Sequence, residues 1–317
     1  MSRYRIKPVD LGKGRFRSLS RRRSLVNSSM FANPHRKGGS FRKFMESLPD
    51  ILGAKGIRTL AERIVAARRG EKPVILAMGA HPIKCGLSPI LIDLVERGII
   101  TGVAINGAVA IHDIEIALAG HTSEDVVAGL SDGMFGMTKE PGELFAKASS
   151  RVMAEGIGFG EALGAELEVL SPPYGKYSLL LSCYRKEVPL TVHIAIGTDT
   201  VHLNPRLSPK GIGEGSHIDF RLFISLVSEL PGGGVYLNLG SAVVLPEVFL
   251  KAIAWLRNQG VVFSGFTVAS FDFIRQYRVK ENVLKRPSVE GGESIEIIGH
   301  HELTIPLLSA MVVELCE

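Results

Sequence analysis

Nine histidines occur in this 317-residue chain, and eight of them follow residue 80. Imidazole titrates near neutral pH, so it can move protons or ligate a metal. Three groups place histidine beside a carboxylate: His112-Asp113, His217 with Asp219, and His300-His301-Glu302. His81 lies in Gly79-Ala80-His81-Pro82-Ile83-Lys84-Cys85-Gly86. Lys84 there is placed to hold an anion, or to act as a nucleophile if its pKa falls; for Cys85 we favour packing. His81, Lys84, His112, Asp113, His217 and His301 are therefore the candidate chemical groups. His193, inside an apolar run, reads as structural, and His121 as closing a helix. No H-E-x-x-H occurs, and Cys85, Cys183 and Cys316 form no CxxC pair, so we assign no metal ligands.

Glycines form a second set. Gly79, Gly107, Gly197 and Gly240 each follow a short apolar run, where a glycine permits close backbone approach to a ligand. No G-x-G-x-x-G follows such a run, and there is neither a Walker sequence nor a G-x-S-x-G elbow. Gly156-Ile157-Gly158-Phe159-Gly160 follows a helical stretch and reads as a helix break. A bound nucleotide must then be held by scattered turns, with Asn106, Gly107, Asp199, Gly240, Ser241 and Asp272 as its lining residues.

The elements that position these residues repeat. Runs at 74–78, 103–105, 190–195, 235–239, 266–269 and 295–298 are apolar, of strand length, and end in polar turns. Such unalternated runs suit strands buried on both faces of a parallel sheet. Helical spacing follows at 89–97, 111–119 and 246–258, and Pro49 splits 41–69 into two helices. The expected fold is a Rossmann-like, doubly wound α/β architecture, its mostly parallel sheet covered by helices on both faces. In such sheets ligands bind beyond the carboxyl ends of the strands. Residues 1–40 read as a basic arm and 41–317 as one α/β domain with a helical middle at 121–188. In that middle, Thr122 and Asp125 suggest a capping box and 131–136 a loop.

Composition limits the function classes. Residues 1–70 hold 18 Lys/Arg against 4 Asp/Glu, whereas the remaining 247 hold 19 against 28. The basic character thus belongs to the N-terminal segment, which includes the arm. Arg21, Arg22 and Arg23 lack interleaved aromatics, so we expect the arm to dock on an acidic protein surface rather than on nucleic acid. Three scattered cysteines fit a reducing compartment, and the expected location is cytoplasmic. No secretory signal is expected, and Pro8, Asp10 and Pro34 argue against an organelle-targeting helix. No apolar run approaches the ~18 residues that span a bilayer.

Taken together, the motifs resemble those of the deoxyhypusine synthase family. Gly79–Leu118 is similar to its first nucleotide-binding unit, with Asn106-Gly107-Ala108 at the small-residue turn. Val188–Asn204 resembles its second signature, with Thr198-Asp199 at the Thr-Asp pair. Leu239-Gly240-Ser241-Ala242-Val243-Val244 matches its Gly-rich strand end, and Phe271-Asp272 and Leu303–Leu308 match in place. The resemblance spans roughly residues 40–317. It implies NAD as cofactor, a homotetramer with sites between subunits, and an arm packing on a neighbour. It also implies transfer of an aminobutyl group through an imine on a lysine. The chain departs from the family in that chemistry. No Trp-Gly-Lys occurs; Trp255 stands in Ala254-Trp255-Leu256-Arg257, and Lys285 is the nearest lysine in the corresponding region. Leu245-Pro246-Glu247 replaces a Lys-His-His, and Asn204 and His300 stand where acids are expected. The resulting expectation is a divergent NAD-dependent transferase or oxidoreductase acting on a small polar substrate. The alternatives are a metal-dependent hydrolase using the His/Asp rim, and a non-catalytic binding or assembly protein on the same fold.

Overall fold

A computed structural model describes residues 3–316. Six strands form one sheet: β1 (Val74–Met78), β2 (Gly102–Asn106), β3 (Leu190–His193), β4 (Val235–Leu239), β5 (Thr267–Asp272) and β6 (Glu293–Ile298). Every pairing is parallel, and the order is β3-β2-β1-β4-β5-β6. The first three strands wind one way from β1 and the last three the other. The order therefore reverses between β1 and β4, the kind of point beyond whose carboxyl ends open α/β sheets bind ligands.

Alternation along the buried strands supplies both faces. Val74, Leu76 and Met78, with Val235, Leu237 and Leu239, pack into one core. Ile75, Ala77, Tyr236 and Val268 pack into the other. The larger core is covered by helices α1 (Phe41–Ser47), α2 (Leu52–Arg69), α3 (His81–Lys84), α4 (Ser88–Glu96) and α5 (Gly107–Ala119). The middle of the chain adds α6 (Val126–Asp132), α7 (Lys139–Glu155), α8 (Phe159–Leu170) and α9 (Leu179–Arg185), of which α6 buries no residue. Two long crossovers cover the second face, α10 (Pro209–Ser228) and α11 (Val244–Asn258). A short α12 (Tyr277–Val279), continued by a π-helical stretch Lys280–Lys285, completes that side. Finally α13 (His301–Cys316) returns to the first face. The doubly wound sheet with helices on both faces is thus present.

Local differences have local causes. β3 ends at His193, and just beyond it the Ile194 N–H, on the outer edge of the strand, donates to Ser216 Oγ (3.0 Å). β6 begins at Glu293, two residues before its apolar run, because as an edge strand it tolerates half-exposed polar residues. Thr122 and Asp125 form no capping box with each other. Asp125 itself caps α6, accepting from Val127 N and Ala128 N at 3.0 and 3.1 Å. Helix α6 also claims the start of the expected 131–136 loop. Residues 3–29 are exposed throughout, with short 3-10 turns. No helix among the described residues is long and apolar enough to cross a membrane.

Candidate active site at the strand ends

At the point of reversal, backbone meets backbone. Gly79 N donates to Leu239 O (3.0 Å), and Gly240 N donates to Phe271 O (2.9 Å). A Cβ on Gly79 would lie 2.6 Å from Gly240 O. A Cβ on Gly240, whose φ is +63°, would lie 2.6 Å from His301 Cε1. Only glycine fits either position, because strand end, strand end and imidazole share one space.

The imidazole in that space is fully buried. His301 opens α13, and its Nε2–H donates to the Phe271 carbonyl at 3.0 Å. Its Nδ1 lies 2.8 Å from His81 Nδ1. Burial holds the His301 pKa below its usual value, against the opposing pull of the Phe271 carbonyl, Asp272 and Glu302. His81, half-buried at the start of α3, packs against Phe273 with ring centroids 5.4 Å apart. Cys85 lies one turn on, its Sγ 3.5 Å from His81 Nδ1 and 3.8 Å from Glu302 Oε2. Burial, then the Glu302 charge, raises the Cys85 thiol pKa, so it remains protonated. Asp272 ends β5 as a buried carboxylate that accepts a long hydrogen bond from Ile274 N, at 3.4 Å.

A second group lies at the ends of β2 and β3. Asn106 caps α5 by accepting from Val109 N (3.1 Å). The Asp199 carboxylate sits so close to Gly107, the first residue of α5, that any Cβ there would overlap it. Burial raises the Asp199 pKa, while the nearby His202 and His112 oppose that rise. Farther along α5, His112 Nδ1 lies 2.6 Å from Thr122 Oγ1 and 3.1 Å from Glu115 Oε2, and Thr122 donates to Glu115. Although burial opposes it, these bonds hold the Glu115 carboxyl below its usual range.

The sequence candidates therefore separate. His81 and His301, 220 positions apart, are brought into contact, with Asp272 beside them. Gly240 and Ser241 form the adjoining turn, while Asn106, Gly107 and Asp199 form the second group with His112. Lys84 is exposed on α3. Asp113 belongs to neither group. It is buried, accepting from Ser178 Oγ (2.5 Å) and Leu179 N (2.7 Å), and it holds the start of α9. Burial pushes its pKa up to about 6. His217 also lies away from the rim, in a cleft of about 870 Å³ shared with Gly156, Arg221 and Trp255. Its neighbour Asp219 seals the outer edge of β3, accepting from Val192 N (2.8 Å) and Gly160 N (2.9 Å). The helix break expected at Gly156–Gly160 is present: Gly156–Gly158 connects α7 to α8, and Phe159 and Gly160 open α8. Lys285 lies at the opposite end of the sheet: its neighbour Leu284 accepts from Ser294 Oγ, at the start of β6 (2.5 Å). It is exposed and pairs with Glu281 at 3.7 Å, so it is no substitute for a rim lysine.

Sequence reading gave Cys85, Glu115 and Phe273 no chemical place. The i, i+4 spacing of His81 and Cys85 is the one local signal that places a thiol beside His81.

The rim has the features a dinucleotide requires. Two glycines allow close approach, and the half-buried carboxylate of Asp199 and the buried one of Asp272 can accept from ribose hydroxyls. The Asp199 carboxylate already lies beside the start of α5, so that helix start is unfavourable for a diphosphate. The Gly240–Val243 turn leads into α11, whose start takes no cap from Val243 but has the Ser241 hydroxyl accepting from Leu245 N (3.3 Å) and Glu247 in its first turn.

No family model matches the chain, and neither does any curated protein sequence. Solved structures do. AgrE, in a ternary complex with ornithine and NAD+, is 16% identical with a TM-score of 0.55; the match covers 87% of this chain and 34% of AgrE. A conserved candidate LOR/SDH protein from Methanococcus maripaludis S2 is 16% identical with a TM-score of 0.54, over 90% of this chain and 76% of that one. A candidate deoxyhypusine synthase from Entamoeba histolytica is 10% identical with a TM-score of 0.52, over 90% and 97%. This chain thus spans about a third of the AgrE chain. At these identities the likeness is one of fold: the chain has the α/β architecture of these structures, and its relationship to deoxyhypusine synthase is a distant one at the level of the fold.

Proposed function

We propose that this protein is an NAD-linked enzyme that oxidises, or transfers a group from, a small polar substrate in the crevice between β1 and β4. The observation that carries the reading is the His81–His301 contact at the point of strand-order reversal, with the Asp272 carboxylate beside it. Ligands bind at such points in open α/β sheets. A paired imidazole supplies the acid–base group that a polar substrate needs. Asp199 and Asn106 would hold one half of the dinucleotide, the Gly79 and Gly240–Ser241 turns its diphosphate, and Asp272 the other half. When bound, the cofactor supplies a hydride acceptor. His81 serves the substrate proton, and Phe273 shields it from water. That one fold neighbour was solved with NAD+ supports the assignment.

Deoxyhypusine synthesis itself is not proposed. The imine route requires an amine in the crevice, and Lys285 lies at the far end of the sheet. Nor is the metal-dependent alternative carried forward. Among the described residues no group of three or more His, Cys, Asp or Glu is arranged to hold a metal ion. Our reading includes a homo-oligomer, a tetramer by the family resemblance, in which the exposed arm packs on a neighbour. Sedimentation of the full chain tests that part.

Calorimetric titration of the nucleotide-stripped protein with NAD tests the cofactor. Saturable binding is expected, weakened about tenfold or more by Asp272→Asn through loss of charge-assisted hydrogen bonds worth ~1.5–3 kcal/mol. No heat at millimolar NAD overturns the reading.

A further inference from the structure

We infer that His301 is a positioning residue that fixes the tautomer of His81, and that His81 Nε2 is thereby the proton-accepting atom of the crevice. The inference rests on the proposed function only for what is deprotonated; the proton arrangement stands on geometry alone.

The argument runs outward from the backbone. A carbonyl oxygen only accepts, so the 3.0 Å contact with Phe271 O requires a hydrogen on His301 Nε2. His301 is fully buried, and a second proton would make it a cation without solvent. Its Nδ1 is therefore a lone pair. That lone pair faces His81 Nδ1 at 2.8 Å, so His81 must carry its hydrogen on Nδ1 and donate it. The remaining His81 nitrogen, Nε2, is then unprotonated. A histidine side chain free in water prefers the opposite tautomer, with hydrogen on Nε2, so the preference is reversed by a contact 220 residues away in sequence.

Cys85 does not upset the assignment. Its Sγ is 3.5 and 3.7 Å from the two His81 nitrogens, and its S–H has an acceptor elsewhere in Glu302 Oε2 at 3.8 Å. The remaining charged neighbours are Asp272 and Glu302, whose negative charges act on His301, and exposed Lys84 and His300. When a substrate O–H or N–H bond breaks, its proton forms an N–H bond at His81 Nε2. The imidazolium that results keeps its Nδ1–H on His301, and its charge lies near Asp272 and Glu302. This arrangement selects substrates whose reacting group is a hydroxyl or an amine.

The test is histidine-ring nitrogen NMR on the ¹⁵N-labelled full chain at mildly alkaline pH, with no ligand added. The expected wild-type spectrum shows His81 as the Nδ1–H tautomer. In His301→Leu, His81 should revert to mainly Nε2–H. In His301→Gln, whose amide can donate to Phe271 and accept from His81, the Nδ1–H tautomer should return. Wild-type His81 in the Nε2–H form overturns the inference, as does an unchanged tautomer in a natively melting His301→Leu. Should His301→Leu fail to fold, the wild-type spectrum decides. Absence of NAD binding would sink the cofactor assignment and leave this result untouched.

Discussion

At Gly240 only a hydrogen atom fits between the strand end and the His301 ring. Its φ of +63° disfavours any side chain, and a Cβ would press on the His301 ring. Gly240→Ala should therefore destabilise the fold by more than about 1 kcal/mol, read as a lower urea midpoint, and should disturb the His81–His301 contact. An unchanged midpoint would mean that the turn relaxes freely. Asp113 predicts the converse. Asp113→Ala leaves the Ser178 hydroxyl and the Leu179 amide short of a partner, at about 1–3 kcal/mol for each orphaned group. NAD affinity should stay at the wild-type value, since the carboxylate faces α9. These residues also show where sequence reading stops. His112-Asp113 and His217 with Asp219 looked like chemical pairs because they are close in sequence. Residues one or two apart on a helix do not share a face, so each carboxylate turned inward, leaving His217 exposed and His112 against Glu115 and Thr122. The His81–His301 contact left no local trace, because it exists only after β1 and β6 join one sheet.

Among the elements, the buried strands were the most legible. An uninterrupted apolar run has one low-energy place in a covered parallel sheet, and five of the six runs match their strands within two residues at either end. The order of the strands was not legible, since each run fits any interior position. β3 sits at an edge, and its exposed amide edge is satisfied by side chains: Asp219 on Val192 N and Ser216 on Ile194 N. Asp219→Ala should uncover that edge and increase aggregation on mild heating, measured by light scattering. β3 also carries a pH dependence. His193 is buried, its Nε2 3.0 Å from Thr191 Oγ1, and burial lowers its pKa from 6.5 to about 3. Between those values the unfolded chain binds a proton that the folded chain does not, so stability falls as pH drops. Asp219 and Asp113 act in the opposite sense, because burial raises them to about 7 and about 6. Comparison with His193→Gln isolates the histidine. Between pH 7 and 4 the wild type should lose more stability than the variant, at about 1.4 kcal/mol per pKa unit. Parallel urea midpoints across that range would contradict the assignment.

For the whole molecule, charge and burial divide at the same place. The first 27 residues hold nine of the 37 basic residues, and residues 3–27 stay exposed along their length. Removing residues 1–27 should shift the thermal midpoint of the monomer by less than about 2 °C, because a kilocalorie of lost contact moves Tm by roughly 2–4 °C in chains of this class. The same deletion should weaken retention on a cation exchanger. A large fall in the monomer's midpoint would mean that the arm contributes to its own body. Farther in, the contact between Gly79 and Gly240 has a kinetic consequence. Two strand ends locked together through their backbones cannot hinge, so the crevice is preorganised and admission of a ligand needs no rearrangement of the sheet. Association should then follow a single concentration-dependent phase in stopped-flow mixing, without a slow unimolecular step. Any gating of turnover would fall to the loops at 194–204 and 273–276.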